Sequence, residues 1–276
     1  LNNSFPTYNN VVKIVIPVSA FEFKKPLNVL GFIKSLRHFG PYKNHELLVV
    51  VRPSEHLFAR QVYDLISDLF DKKTFHVFSA DGELGWPAGP NFYWKETIQY
   101  LKDTDNKDPW LWMELDTLPL KPNWADTLEQ EYIKQDKPCF GTIQDTTTVT
   151  KDQYLITIAK HLQGTAVYPA RLDKICGIWE YVDQLPTAFD VVCQWEIVPE
   201  TQDTPLIQQG FRTINYKLKT DPFELKGEDN GDLNGVVTYD QPIKKEAVLH
   251  HGCKDTSLAN IIVSPEYNFL VQQNKF

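Results

Sequence analysis

"HELLVVVRPSEHLFARQVYDLISDLF", His45 to Phe70, places two kinds of regular element side by side. Its first part is an unbroken aliphatic run closed by Arg52-Pro53, the pattern of a strand buried on both faces. From Ser54 onward the apolar residues fall at helical spacing, which predicts a helix to Phe70 with Ser54 as its N-cap. The same change of period recurs on either side. "VVKIVIPVS", Val11 to Ser19, predicts a strand, and "PLNVLGFIKSLRHF", Pro26 to Phe39, a helix with proline at its start and Gly40-Pro41 as its stop. "FHVFSA", Phe75 to Ala80, predicts a third strand, followed by a helix that starts near Asn91. A fourth strand lies in "PWLWMELDTLPLKPNW", Pro109 to Trp124. Strand and helix alternating in this way predict an α/β fold: a mixed, mainly parallel sheet flanked by helices with right-handed crossovers.

The second half is more mixed. Helices are expected over Asn123 to Gln135, from about Arg171 to Tyr181, over Thr187 to Val198 and in a short closing segment, Thr256 to Val263. Strands are expected over Pro138 to Asp145, His161 to Ala170, Phe211 to Leu218 and Glu246 to His251. "FELKGEDNGDLNGVVTYDQP", Phe223 to Pro242, is rich in Gly, Asn and Asp and is expected to be a long loop of the kind that can cover a site. The 276 residues are 42% hydrophobic and 13% aromatic, ample for one core. The expectation is a single domain over 1–276, with a nucleotide-binding half at about 11–117 and an acceptor-binding half at about 118–276.

Composition narrows the function classes. With 28 basic against 36 acidic residues the formal charge is -8, which disfavours a broad basic surface for nucleic acid. "KKPLNVLGFIKSLRHF" and "NYKLKTD" are the two segments able to form local basic faces. No stretch approaches the roughly 20 apolar residues of a membrane span, and "LNNSFPTYNN" lacks the basic and apolar regions of a signal peptide. The four cysteines have no CxxC spacing. A reduced, cytoplasmic protein with no membrane partner is expected.

The chemistry is concentrated in two places. In "WLWMELDT" an apolar strand ends in Glu114 and Asp116, and residues i and i+2 of a strand project to the same side. Two adjacent carboxylates repel each other unless something cationic lies between them. The plain alternative is a strand end whose acids meet water. Ligands of open α/β sheets bind beyond the carboxyl ends of strands, where this pair is expected. Hard oxygen donors suit Mg²⁺ or Mn²⁺, and Mn²⁺ accepts an imidazole as well. "AVLHHGCKD", Ala247 to Asp255, offers His250 and His251 at another strand end, then Gly252 and Lys254, an ammonium suited to phosphate.

An acid-x-Asp tripeptide ending a strand, joined to a later His-Gly-x-Lys element, resembles the GT-A family of nucleotide-sugar glycosyltransferases. The resemblance implies metal ligation by Glu114, Asp116 and one of His250 and His251, with His251 favoured. Glu114 stands where the family has Asp. It also implies a UDP-linked sugar donor, with Lys254 on its phosphates. "GELGWPAGPNFYW", Gly82 to Trp94, resembles the family's Gly-rich turn near the donor sugar, which implicates Gly85, Gly89 and Asn91. By topology Pro17, Val18 and Ser19 would line the base pocket and Arg52 would flank it. In "LQGTAVYPA" Gly164 would let donor or acceptor approach. A carboxylate from "FDVVCQWEIVPETQDTP", either Asp190 or Glu196, would deprotonate the acceptor hydroxyl. The combination of "GWPAGPN" with "HHGCKD" resembles bacteriophage glycosyltransferases, some of which decorate modified bases in DNA. That implies modified DNA as a possible acceptor and host cytoplasm as the location.

Three other readings stand beside this one. The acceptor would be a glycan or cell-surface polymer in the first. The second is a nucleotidyltransferase, which would need a glycine-rich loop after the first strand, and "IPVSAFEFKKP" has no glycine. The third is a non-enzymatic sugar- or partner-binding module using Trp86, Tyr93, Trp94 and Trp195 as platforms.

Overall fold

The computed structural model describes residues 12–19, 26–83, 85–151, 154–213, 243–253 and 257–265. The elements run β1 (Lys13–Pro17), α1 (Pro26–Phe39), β2 (Glu46–Val51), α2 (His56–Ile66), β3 (Lys72–Val77), α3 (Ala88–Asp103), β4 (Trp110–Trp112), β5 (Thr117–Pro119) and α4 (Trp124–Lys134). They continue with β6 (Cys139–Gln144), β7 (Thr147–Lys151), β8 (Tyr154–Ile158), β9 (His161–Tyr168), α5 (Phe189–Val192), α6 (Gln194–Ile197), β10 (Thr201–Asp203), β11 (Ile207–Thr213), β12 (Leu249–Cys253) and α7 (Ser257–Ile262).

The main sheet has seven strands in the order β10-β6-β9-β4-β1-β2-β3. β1 pairs in parallel with β2 and β4, β2 with β3, and β6 with β10, while β9 runs antiparallel to β4 and β6. The expected α/β class and mainly parallel sheet are therefore present. Alternation along the aliphatic runs explains why they are apolar throughout. Ile14, Ile16, Leu47, Val49 and Val51 pack on one face with Phe32, Leu36, Val62, Trp124 and Leu258. Val15, Leu48 and Val50 pack on the other with Phe92, Trp94, Ile98, Trp112 and Tyr168. Each face is covered by helices, so neither set of side chains can be polar. Among the described residues no helix is long and apolar enough to cross a membrane.

Several boundaries differ from expectation. α2 begins at His56, after a 3-10 turn over Pro53–Glu55, and no side chain caps it. Ser54 is instead held through its backbone N–H, which donates to Asp81 Oδ1 at 2.8 Å. α3 starts at Ala88, so Asn91 lies within the helix. The segment expected to be helical from Arg171 to Tyr181 forms two 3-10 helices, Leu172–Lys174 and Gly177–Gln184. The helix expected over Thr187 to Val198 is split into α5 and α6 at Cys193. The hairpin β7-β8 was not anticipated.

One difference bears on the site. Glu114 and Asp116 are not on a strand; they occupy the turn between β4 and β5, closed by Thr117 N–H donating to Glu114 O at 2.9 Å. β5 then leaves the main sheet and joins a three-stranded one, in the order β11-β12-β5.

Candidate functional site

The turn after β4 brings two carboxylates to the carboxyl end of a parallel strand, and β12 brings an imidazole to meet them. β12 runs antiparallel to β5 with His251 opposite Thr117, and parallel to β11 with His251 opposite Gln209. The Asp116 carbonyl accepts from the backbone N–H groups of Gly252 (3.1 Å) and Cys253 (2.9 Å), tying the turn to β12. β12 and β11 come so close that a Cβ on Gly252 would lie 2.0 Å from Gly210 O, and Gly252 itself has φ +95°. Only glycine tolerates both conditions.

His251 Nε2 lies 3.1 Å from Asp116 Oδ1 and 3.3 Å from Glu114 Oε2. The three donor atoms fall within 4.8 Å of one another. Asp116 is 3% exposed, while the side chains of His251 and Glu114 are 12% and 34% exposed. On its other side the His251 ring places Nδ1 2.5 Å from Gln209 Oε1. With Nδ1–H donated to that amide oxygen, a neutral ring presents its Nε2 lone pair to two carboxylates. Such an arrangement calls for a proton or a metal ion between them. An imidazole nitrogen and two carboxylate oxygens, one of them reaching solvent, form a donor set able to hold Mn²⁺ or Mg²⁺.

Beside this cluster β9 is buried and closely packed around Gly164. A methyl on Gly164 would lie 3.2 Å from the Phe189 ring, 3.5 Å from Glu114 Oε1 and 3.9 Å from Asp190 Oδ2. Trp112 Nε1–H donates to Glu114 Oε1 at 3.2 Å. Burial holds the Asp190 carboxyl above the usual carboxylate range. His161 opposes that shift and Glu114 adds to it.

Neither a protein-family model nor a curated protein sequence matches this chain. Among solved structures, apo mouse xyloside xylosyltransferase 1 is similar over 88% of this chain and 97% of its own, at 11% identity and a TM-score of 0.49. A Bacillus anthracis protein assigned as a glucose-1-phosphate thymidylyltransferase, in complex with sucrose, is similar over 70% of this chain and 86% of its own, at 9% identity and a TM-score of 0.43. A 4-diphosphocytidyl-2C-methyl-D-erythritol synthase is similar over 63% and 83%, at 13% identity and a TM-score of 0.40. Likenesses at this level say nothing of the activity of this chain.

The remaining residues singled out from sequence divide into those brought to the cluster and those engaged elsewhere. Asp190 and Gly164 are at the cluster. His250 faces the other way, fully buried, with Nδ1 3.4 Å from Cys253 Sγ. Glu196 lies against the start of the Gly177–Gln184 helix, where Ile178 N–H donates to its Oε2 at 3.4 Å. Asn91 is buried within the core. Its amide donates to Val182 O and Thr187 O, both at 2.8 Å, and its carbonyl accepts from Phe189 N–H at 2.7 Å. It clamps α3 to the segment that carries Asp190.

Arg52 is likewise buried, with Nη2 donating to Glu83 O at 2.8 Å and to Gly89 O at 3.4 Å. Its guanidinium lies over the Phe92 and Tyr93 rings. Gly89 is glycine beside that group, since a Cβ would approach Nη2 to 3.3 Å. The Val18 carbonyl accepts from Tyr93 Oη at 2.6 Å. Pro17 ends β1 and Ser19 is half-buried just beyond it. Tyr93 and Trp94 are core residues and cannot serve as platforms, whereas Trp86 and Trp195 are exposed. Lys254, Phe223 to Pro242 and the whole of "NYKLKTD" lie outside the described residues. Gln209 and His161 were missed from sequence. Nothing local marks them, and only strand register and the packing of α5 bring them to the site.

Proposed function

We propose that this chain is a glycosyltransferase that moves a sugar from a nucleotide diphosphate sugar, UDP-linked in the first instance, to an acceptor hydroxyl. The observation that carries the reading is the meeting of His251 Nε2 with Asp116 and Glu114 beyond the carboxyl end of β4. In this reading those three side chains hold a divalent cation, Mn²⁺ or Mg²⁺. When bound, it neutralises charge on the donor diphosphate. The protein supplies the rest. Gln209 fixes the His251 ring so that Nε2 faces the acids. Asp116, nearly closed off from water, fixes the position of the charge. Gly164 places no side chain between the Phe189 ring, Glu114 and Asp190, so the two carboxylates can lie close together.

Asp190 Oδ2 takes the acceptor proton in this reading, with Oδ1 anchored by the Val191 N–H at 2.9 Å. Glu196, engaged with Ile178, is not given that role. Lys254, the residue after β12, is assigned to the phosphates. Pro17 and Ser19 keep the place proposed for the base; Val18, Arg52, Gly89 and Asn91 are given structural duties instead. The donor half at about 11–117 contributes Glu114 and Asp116 while the acceptor half contributes His251, so the proposed site draws on both.

Calorimetric titration of UDP, with GDP and CDP as controls, tests the donor site with and without Mn²⁺. The expected result is binding that needs the metal and is lost in Asp116→Ala, with the thermal transition of the variant nearly unchanged. Nucleotide binding that is indifferent to both metal and Asp116→Ala would sink the reading. The acceptor is set here only as a hydroxyl. Glycans and hydroxymethylated DNA, the latter from the bacteriophage resemblance, are the two arms of the acceptor screen.

One observation favours a second reading, a sugar-binding module. Trp86, 76% exposed, borders a cavity of about 740 Å³ with Pro87, Phe92, Asp183 and Pro186. In that case sugar affinity survives Asp116→Ala and falls in Trp86→Ala.

A further inference from the structure

His45, Asp126 and Glu129 form a second cluster, at the opposite end of the sheet from the candidate site. His45 immediately precedes β2, at the amino end of the parallel strands, whereas Glu114 and Asp116 follow the carboxyl end of β4. Asp126 and Glu129 are three residues apart on α4 and so share one face of it. His45 Nε2 lies 3.2 Å from Asp126 Oδ1, and donor atoms from all three side chains fall within 4.8 Å of one another.

The second, independent observation is Glu129 itself. It is 8% exposed, and its Oε1 is sealed from solvent with no hydrogen-bond partner among the described residues. The charge acting on it most directly is that of Asp126, of the same sign. Among the described residues the ion pair of Asp126 is with His45, and none is formed by Glu129. A carboxylate buried beside a like charge, with one oxygen left without a partner, is destabilising as it stands. A cation among the three donors would satisfy all of them.

We propose that His45, Asp126 and Glu129 form a divalent-cation site suited to Zn²⁺, which fastens the amino end of β2 to α4. One imidazole nitrogen and two carboxylate oxygens are ordinary zinc donors, and the Asp126 side chain, 38% exposed, leaves a fourth position open to water. Bonds of about 2.0 to 2.1 Å in a tetrahedral site put neighbouring donors about 3.3 Å apart. The cluster therefore closes with side-chain movements on the order of an ångström. This site is independent of the proposed transferase activity.

The test uses Zn²⁺ as the probe and Asp116→Ala as the background, which removes the other donor set. Calorimetry should find about one equivalent bound, and the thermal transition should rise by about 5 °C at a hundredfold excess over Kd. Both should vanish when Glu129→Gln is added, and again when Asp126→Asn is added instead. Without metal, Glu129→Gln should unfold no earlier than its parent, because an orphaned charge has been removed. If that variant fails to fold, Asp126→Asn decides alone. Zn²⁺ binding that persists in the decisive variant, or that is missing from the Asp116→Ala protein, overturns the proposal.

Discussion

Asp190 shows how much can turn on a single side chain. It comes from a helix of four residues, yet its carboxylate lies beside Gly164 and within the electrostatic reach of Glu114, and burial raises its affinity for a proton. If Asp190 takes the acceptor proton, Asp190→Asn should lower kcat by about 10²- to 10⁴-fold. Metal-dependent UDP binding should be unchanged, because the donor set is intact. Paired measurements of turnover and UDP affinity check this. A variant that loses both would make Asp190 part of the donor site instead. Asp190 was visible in the sequence as one acid among several. Its separation from Glu196 was not, since the two acids are only six residues apart on adjacent short helices and only packing sends them to different neighbours.

At the scale of elements, short segments do most of the positioning. Glu114 to Thr117 form a turn rather than a strand end, and the convergence of acids and imidazole comes from that turn and from β12. α3 supplies another device. Its Asn91 satisfies two carbonyls and one N–H of the segment leading to α5. Asn91→Ala leaves those backbone groups buried and unpaired, at a cost of roughly 2–4 kcal/mol of stability. Urea unfolding of the two proteins measures the difference. A loss below about 0.5 kcal/mol, the scale of an ordinary surface change, would mean that water replaces the amide and that the clamp is not needed. In the sequence Asn91 was read as a donor-site residue through the resemblance of "GELGWPAGPNFYW" to a Gly-rich turn near the donor sugar. Its three backbone partners lie more than 90 positions away, beyond anything local spacing records.

For the whole molecule the informative variable is acid stability. His250 is buried in the three-stranded sheet, and burial above all, with the adjacent His251 imidazole adding to it, lowers its pKa from 6.5 to about 4. As pH falls the unfolded chain therefore takes up the proton first. The contribution is fully present above pH 6.5 and is lost progressively down to about pH 4, amounting to about 2 kcal/mol by pH 5. Asp190, raised rather than lowered, acts in the opposite sense. The difference between wild type and His250→Gln across this range isolates the histidine. Thermal transitions measured from pH 7 to 4.5 should fall more steeply for the wild type, and parallel curves would show that the imidazole is not held neutral.

The sequence by itself determined the alternation of buried strands and amphipathic helices, the α/β class and the place of two acids beyond the fourth strand. Those features follow from period: a strand covered on both faces must be apolar at every position, as Leu47 to Val51 are, and a helix must be apolar along one stripe. The choice of His251 over His250, the turn that holds Glu114 and Asp116, and the burial of Arg52 and Asn91 were decided by tertiary structure. So was the pairing of Gln209 with His251. Each depends on strand register or on contacts between distant segments. A one-residue change of register would exchange the two histidines without altering the pattern of either strand.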